Sequence, residues 1–210
     1  MSDKKHDVVA SPGEPGPQSL PLGVKLIRTL RGHADWIGRI ACSPDGYVLA
    51  WPSQDKTIRL WNPETGDLLQ TLKGHDHAVV TVAIDSTGRT LASASNDGSV
   101  RLWKTSSGEL IDTLEGDQGN VKCVAVGPMG LVLASGGTDH SIILWERDAR
   151  GYRLRTLTGH QGPVMSLAFD AAGQTLASAS LDGTVKLWNV ASRKVIRTLA
   201  GHRGPVASVA

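Results

Sequence analysis

The stretch that decides the fold is LASASNDGSVRLW, Leu91 to Trp103. Two short apolar runs flank Asn96-Asp97-Gly98. An Asp-Gly pair between such runs predicts a tight turn joining antiparallel strands. Outward from it, the chain repeats the same hairpin. Leu49–Trp61 reads LAWPSQDKTIRLW, Leu133–Trp145 reads LASGGTDHSIILW, and Leu176–Trp188 reads LASASLDGTVKLW.

The closing tryptophans Trp61, Trp103, Trp145 and Trp188 are spaced 42, 42 and 43 residues apart. A period in that range marks stacked supersecondary units. Upstream stand Gly32-His33, Gly74-His75, Gly116-Asp117 and Gly159-His160, and Gly201-His202 starts a fifth copy. The second residue of each full copy precedes a turn aspartate (Asp55, Asp97, Asp139, Asp182) by 22 positions, and that aspartate precedes its tryptophan by 6. Gly74–Trp103 and Gly159–Trp188 agree at 17 of 30 positions, a register that chance does not hold four times.

This combination resembles the WD-repeat β-propeller family over Lys25 to Ala210. The Trp-Asp dipeptide of that family is missing, since Asn62, Lys104, Glu146 and Asn189 follow the tryptophans. The resemblance implies an all-β fold of four-stranded antiparallel blades. The repeats fall at about 30–71, 72–113, 114–156 and 157–198, with a partial copy at 199–210. The pattern predicts an outer strand at Val24–Leu30 and inner strands near Ile37–Cys42, Val79–Ile84, Val121–Val126 and Val164–Phe169. Turns are predicted at Ser43-Pro44-Asp45-Gly46 and its counterparts. The Glu146–Leu157 connection is one residue longer than its equivalents and is expected to protrude. Strands such as LASAS are small or apolar on both faces, so both faces must pack, as in a blade held between two neighbours.

Residues 1–23 read as a disordered or extended leader, with Pro12, Pro15, Pro17 and Pro21 close together. A propeller closes as a ring of about 4–8 blades. The four full copies therefore suggest part of a seven-bladed ring, or chains that complement each other's open edges.

The formal net charge of +2 implies no strong field for nucleic acid or a membrane surface. No run reaches the roughly 18 apolar residues of a spanning helix, and Met1–Ala10 has no signal-like apolar core. A cytoplasmic protein is the default. Cys42 and Cys123 sit at different repeat positions and read as buried thiols. No cofactor or metal site is expected.

Strand alternation puts the Gly-His loop and the aspartate turn on one rim. There His33 meets Asp55, His75 meets Asp97, and His160 meets Asp182. In the family that network is structural, with the imidazole linking the turn carboxylate to a strand hydroxyl. The candidates for that hydroxyl are Ser93 or Ser95, Ser135, and Ser178 or Ser180. A repeated His–Asp–Ser set is not what catalysis needs, so the chain reads as a non-enzyme. Two copies depart from the pattern. Asp117 in place of His sets two carboxylates, Asp117 and Asp139, against each other, and that blade is expected to be the weakest. Trp51 and Pro52 replace small strand residues, so blade one is expected to be distorted.

Function belongs to the rim positions that do not repeat. These are Asp35, Trp36, Gln54, Lys56, His77, Asn96, Thr138, His140 and Leu181, with Trp36 foremost as a large loop residue able to anchor a contact. The resemblance implies that this rim binds peptides or proteins. The alternative is a sensory or scaffolding arm of a multidomain signalling enzyme.

Overall fold

A computed structural model describes residues 25–210; the leader, residues 1–23, lies outside them. The chain divides into two units, Met1–Arg31 and Gly32–Ala210. Within the first, Lys25–Leu30 forms no strand, which corrects the expected strand at Val24–Leu30. A strand exists only as one side of a hydrogen-bonded ladder. In the second unit every third strand already has a fourth strand beside it, so the outer-strand place of each described sheet is filled.

The second unit is four consecutive antiparallel sheets, each joining its four strands in chain order. Blade one holds β1 (Ala41–Cys42), β2 (Leu49–Pro52), β3 (Ile58–Trp61) and β4 (Leu68–Leu72). Blade two holds β5 (Val79–Ile84), β6 (Thr90–Ser95), β7 (Ser99–Lys104) and β8 (Leu110–Glu115). Blade three holds β9 (Val121–Val126), β10 (Val132–Gly137), β11 (Ile142–Asp148) and β12 (Gly151–Leu157). Blade four holds β13 (Val164–Phe169), β14 (Thr175–Ser180), β15 (Val185–Asn189) and β16 (Lys194–Leu199). No α-helix occurs among the described residues, and the turn Pro128–Gly130 is a short 3-10 helix. This is the incomplete propeller that the 42-residue period predicts.

The core consists of layers between blades. One layer packs Ala50, Ile58, Leu60 and Leu72 of blade one against Val79, Val82, Leu91 and Trp103 of blade two. The next sets Ala92, Ala94, Val100 and Leu102 against Leu133, Ile143 and Trp145. The third sets Ala134, Ile142 and Leu144 against Leu167, Leu176 and Trp188. Each tryptophan from the second blade on is thus buried against the preceding blade. Middle strands such as β6 and β10 are buried on both faces, which is why their side chains are small. Fourth strands lie outermost, and every residue of β16 is exposed.

Blade one is irregular where its sequence departs. The inner strand expected at Ile37–Cys42 shrinks to β1, and Ile37 and Arg39 make only isolated bridges. Gly38 N donates to Pro52 O at 2.8 Å, but Pro52 has no N–H to return. Arg39 N turns instead to Val80 O at 3.1 Å. Cys123 is buried and free as expected, and burial pushes its thiol up to about 12. Cys42 is exposed, which corrects the reading of two buried thiols. It sits on the two-residue β1 beside Ala41, which packs on the layer between blades one and two, so alternation turns Cys42 to the opposite face. The extra residue of the Glu146–Leu157 connection lengthens the ladder itself, because pairing runs out to Asp148↔Gly151.

Candidate functional site: the Gly-His rim

The rim is built one blade at a time from a hydrogen-bonded chain. In blade two, Trp103 Nε1 donates to Ser93 Oγ at 2.9 Å, Ser93 Oγ lies 2.7 Å from His75 Nε2, and His75 Nδ1 lies 2.7 Å from Asp97 Oδ2. Blade four repeats this with Trp188, Ser178, His160 and Asp182 at 2.8, 2.7 and 2.8 Å. One tautomer satisfies every member. Nδ1–H donates to the carboxylate, and Nε2 accepts from a serine whose oxygen already takes the indole N–H. Burial lowers the pKa of His75 and His160 despite the adjacent carboxylates, so both rings are neutral at pH 7. For Asp97 and Asp182 burial acts upward. It is outweighed by donors from Ser99 and His75, and from Thr184, Gln161 and His160, which hold both carboxyls well below the usual range. Blades two and four therefore each keep a negative charge at the rim.

The set Ser93, His75 and Asp97 has the connectivity of a hydrolytic triad. Ser93 is 0% exposed and its oxygen is occupied by Trp103. No substrate carbonyl reaches it. Ser95 and Ser180, the other hydroxyl candidates, donate to His77 O and Gly162 O and accept from Asp97 N and Asp182 N. They fasten the loop to the turn.

Blade one keeps half of the chain. His33 Nδ1 lies 2.8 Å from Asp55 Oδ2, but Nε2 lies 3.1 Å from Trp51 O, because Trp51 stands where the other blades have serine. Both of those partners are acceptors, so a neutral ring can donate to only one of them. Trp61 Nε1 is buried without a hydrogen-bond partner, and the Trp61 ring packs at 5.7 Å from that of Trp51.

Blade three corrects the expectation of opposed carboxylates. Asp117 is exposed with φ of 53°. That conformation turns the next residue, Gln118, inward to the imidazole's place. Gln118 is 1% exposed; its Nε2 donates to Ser135 O at 3.1 Å and Ser141 O at 3.2 Å, and its Oε1 accepts from Ser135 Oγ at 2.5 Å. Ser135 still accepts from Trp145 Nε1 at 2.9 Å, and Asp139 takes Ser141 N and Oγ. A single amide thus replaces the ring's acceptor for the serine, while its N–H groups go to the Ser135 and Ser141 carbonyls rather than to the turn aspartate.

The variable positions follow from the same scaffold. Gln54 N donates to Trp36 O at 2.9 Å, Asn96 N to Ala78 O at 2.9 Å, Thr138 N to Asn120 O at 3.1 Å, and Leu181 N to Pro163 O at 3.0 Å. Because main-chain atoms carry the link, the side chains at those positions are free to differ. Trp36 is 82% exposed, with its N–H bonded to Asp35 Oδ1 at 2.7 Å. Asp35, Gln54, Lys56, His77, His140 and Leu181 are exposed, and Asn96 and Thr138 are half-buried. Trp36, Gln54 and Asn96 come together, with Ile37, Gly38, Ala78, Val79 and Val80, around a groove of ≈ 240 Å³ between blades one and two. Thr138, His140 and Leu181 belong to the turns of blades three and four, away from that groove.

A second cavity of ≈ 420 Å³ lies between the turns of blades two and three, lined by Asn96, Asp97, Gly98, Glu115, Asp117, Gln118, Gly119 and Asn120. Glu115 was not singled out from the sequence. Its signal was available: the same repeat position carries Arg31, Lys73, Thr158 and Ala200.

The profile described as "WD domain, G-beta repeat" matches residues 24–62, 66–104, 108–146 and 151–189. The chain belongs to the WD-repeat family. It is 41% identical over 64 residues to a coronin-like protein of Saccharomyces cerevisiae, covering 30% of this chain and 9% of that protein. It is 46% identical over 41 residues to lissencephaly-1 homolog 1 of Paramecium tetraurelia, covering 20% of this chain and 10% of that one. It is 36% identical over 46 residues to the transcriptional repressor rco-1 of Neurospora crassa, covering 22% and 8%. The matched segments thus span about a tenth of each relative. No helix among the described residues is long and apolar enough to cross a membrane.

Proposed function

We propose that this WD-repeat chain is a non-catalytic interaction scaffold that binds a peptide or a protein segment on its Gly-His rim, with Trp36 as the anchor. The observation that carries this reading is the 82% exposure of Trp36 beside a groove lined by Ile37, Ala78, Val79 and Val80. A large aromatic side chain held in water over apolar walls is the arrangement from which binding energy is drawn when a partner covers it. The backbone at that point is rigid, because Trp36 O and N are both bonded. Little ordering entropy remains to be lost on binding. The buried serines argue against chemistry at the repeated His–Asp sites.

The test is a random-peptide display selection against the folded chain, followed by affinity measurements with Trp36→Ala. The enriched peptides should weaken about tenfold or more, with the thermal midpoint unchanged. Peptides that bind Trp36→Ala as well as the parent would refute the rim assignment.

A further inference from the structure

The groove at Trp36 does not end at blade two. Asn96 is a wall of that groove and also of the ≈ 420 Å³ cavity beyond it. Carboxylates on a protein rim are common and mean little by themselves. Here they line a concavity that shares a side chain with an apolar groove, and the charge count is one-sided. Asp97 faces the cavity with its carboxyl held ionised by four donors, His75, Asp76 N, Ser99 N and Ser99 Oγ. Its histidine partner is neutral, so that partner does not cancel the charge. Glu115 and Asp117 are exposed on the same lining. No lysine or arginine is among the residues that line the recess; Lys122 is half-buried and tied to Asn96 Oδ1 at 2.7 Å, and Arg101 lies 4.0 Å from Asp76. Apolar surface on one side of Asn96, and on the other a lining with three carboxylates and no lysine or arginine, define a two-part recess.

We propose that the recess between the turns of blades two and three takes the cationic side chain of a bound segment, arginine or lysine, while a neighbouring apolar residue of that segment lies against Trp36. This rests on the rim reading above and narrows it to one chemical class, a peptide carrying an apolar residue close to a basic one. A guanidinium suits the recess, because the Gly98, Gly119 and Asn120 segments set polar backbone around the carboxylates. Planar donors suit such walls. The opposite charge pattern, an acidic segment, would meet repulsion from three carboxylates.

The experiment uses the complete 210-residue chain and backbone amide NMR. The probes are N-acetyl-arginine methylamide, its uncharged isostere N-acetyl-citrulline methylamide, and N-acetyl-leucine methylamide. The arginine probe should shift Gly98, Gly119 and Asn120 and bind about fivefold more tightly than citrulline, as a partly exposed charge pair provides. That preference should fall by at least half in Glu115→Gln/Asp117→Asn, which leaves only Asp97, and shrink in high salt. Neither substitution touches the His–Asp chain, and asparagine suits the positive φ at position 117. A peptide linking leucine to arginine through a short glycine spacer should bind about tenfold or more tighter than either probe, since the second contact becomes intramolecular. Equal binding of arginine and citrulline, or a preference that the double substitution leaves unchanged, overturns the proposal. If the leucine probe then still shifts Gly38, Ala78 and Val79 in the parent but not in Trp36→Ala, the acidic recess fails while the rim reading stands. If no probe shifts either set, both fall.

Discussion

Removing the Ser93 hydroxyl tests the tryptophan–serine–histidine–aspartate chain most directly. In Ser93→Ala the volume change is one oxygen at a fully buried position. Two groups lose their partner at once: Trp103 Nε1, which donates at 2.9 Å, and His75 Nε2, at 2.7 Å. Both sit where water cannot replace the hydroxyl. An orphaned buried polar group costs about 1–3 kcal/mol. The ring can relax a little toward Asp97, so the sum should fall near 2–4 kcal/mol rather than at the upper limit. With a urea slope of roughly 2–3 kcal/mol/M, the midpoint should drop by about 1 M. The assay is urea unfolding followed by tryptophan fluorescence and by far-ultraviolet circular dichroism, with coincidence of the two checked first. A cycle with Trp103→Phe should show coupling of about 1 kcal/mol or more, because once the indole N–H is gone the serine has one partner fewer to lose. Ser178→Ala in blade four should cost about the same as Ser93→Ala, since its contacts match. A loss below about 0.5 kcal/mol, or strict additivity in the cycle, would refute the reasoning.

Blade one gives the converse. Trp61 Nε1 has no partner, so Trp61→Phe should cost about 1–2 kcal/mol less than Trp103→Phe in the same urea assay; equal costs would mean that the indole bonds contribute nothing. In blade three, Gln118→Ala should destabilise by about 2–3 kcal/mol through the loss of the amide's hydrogen bonds at a buried site, while Asp117→Ala should stay within about 1 kcal/mol. The reverse order would restore the picture of opposed carboxylates. Stability should also fall on acidification in two stages. His75 and His160 titrate below their ordinary 6.5 in the fold, so the unfolded chain binds more protons. The stability they support is complete above about 6.5 and declines as pH drops below it. Asp55, Asp97 and Asp182 are likewise lowered from 3.8, adding a second loss below that value. Thermal midpoints measured from pH 8 to pH 3 should trace both, and a midpoint that rises between pH 7 and pH 5 would contradict the neutral rings.

The period, the turn Asp-Gly and the closing tryptophan were enough to place the central hairpin of each of the four blades, because each signal is local. Turn chemistry depends on three or four residues, and two apolar faces on a short strand can be read directly from LASAS. The spacing of 22 between His75 and Asp97 also made their meeting legible, since strand direction alternates. The choice between Ser93 and Ser95 was not legible. Both fall in one strand two residues apart and on the same face, and only the position of Trp103 across the ladder, at the register Leu91↔Trp103, puts its indole on Ser93. Gln118 was equally hidden, because a positive φ at Asp117 shifts the inward side chain by one residue, and composition carries no sign of that. Pro52 announced a fault in blade one, but not that Arg39 would leave its own strand for Val80.

What the sequence determined by itself is the repeat, and with it the fold, since a periodic pattern of buried faces has one economical way to pack. What only the tertiary structure decided is the surface. The groove at Trp36 and the acidic recess beside it are made by residues from neighbouring copies, and their depth depends on how far one blade is turned against the next. That angle is set by the side chains packed between blades, so it belongs to no single stretch of the chain.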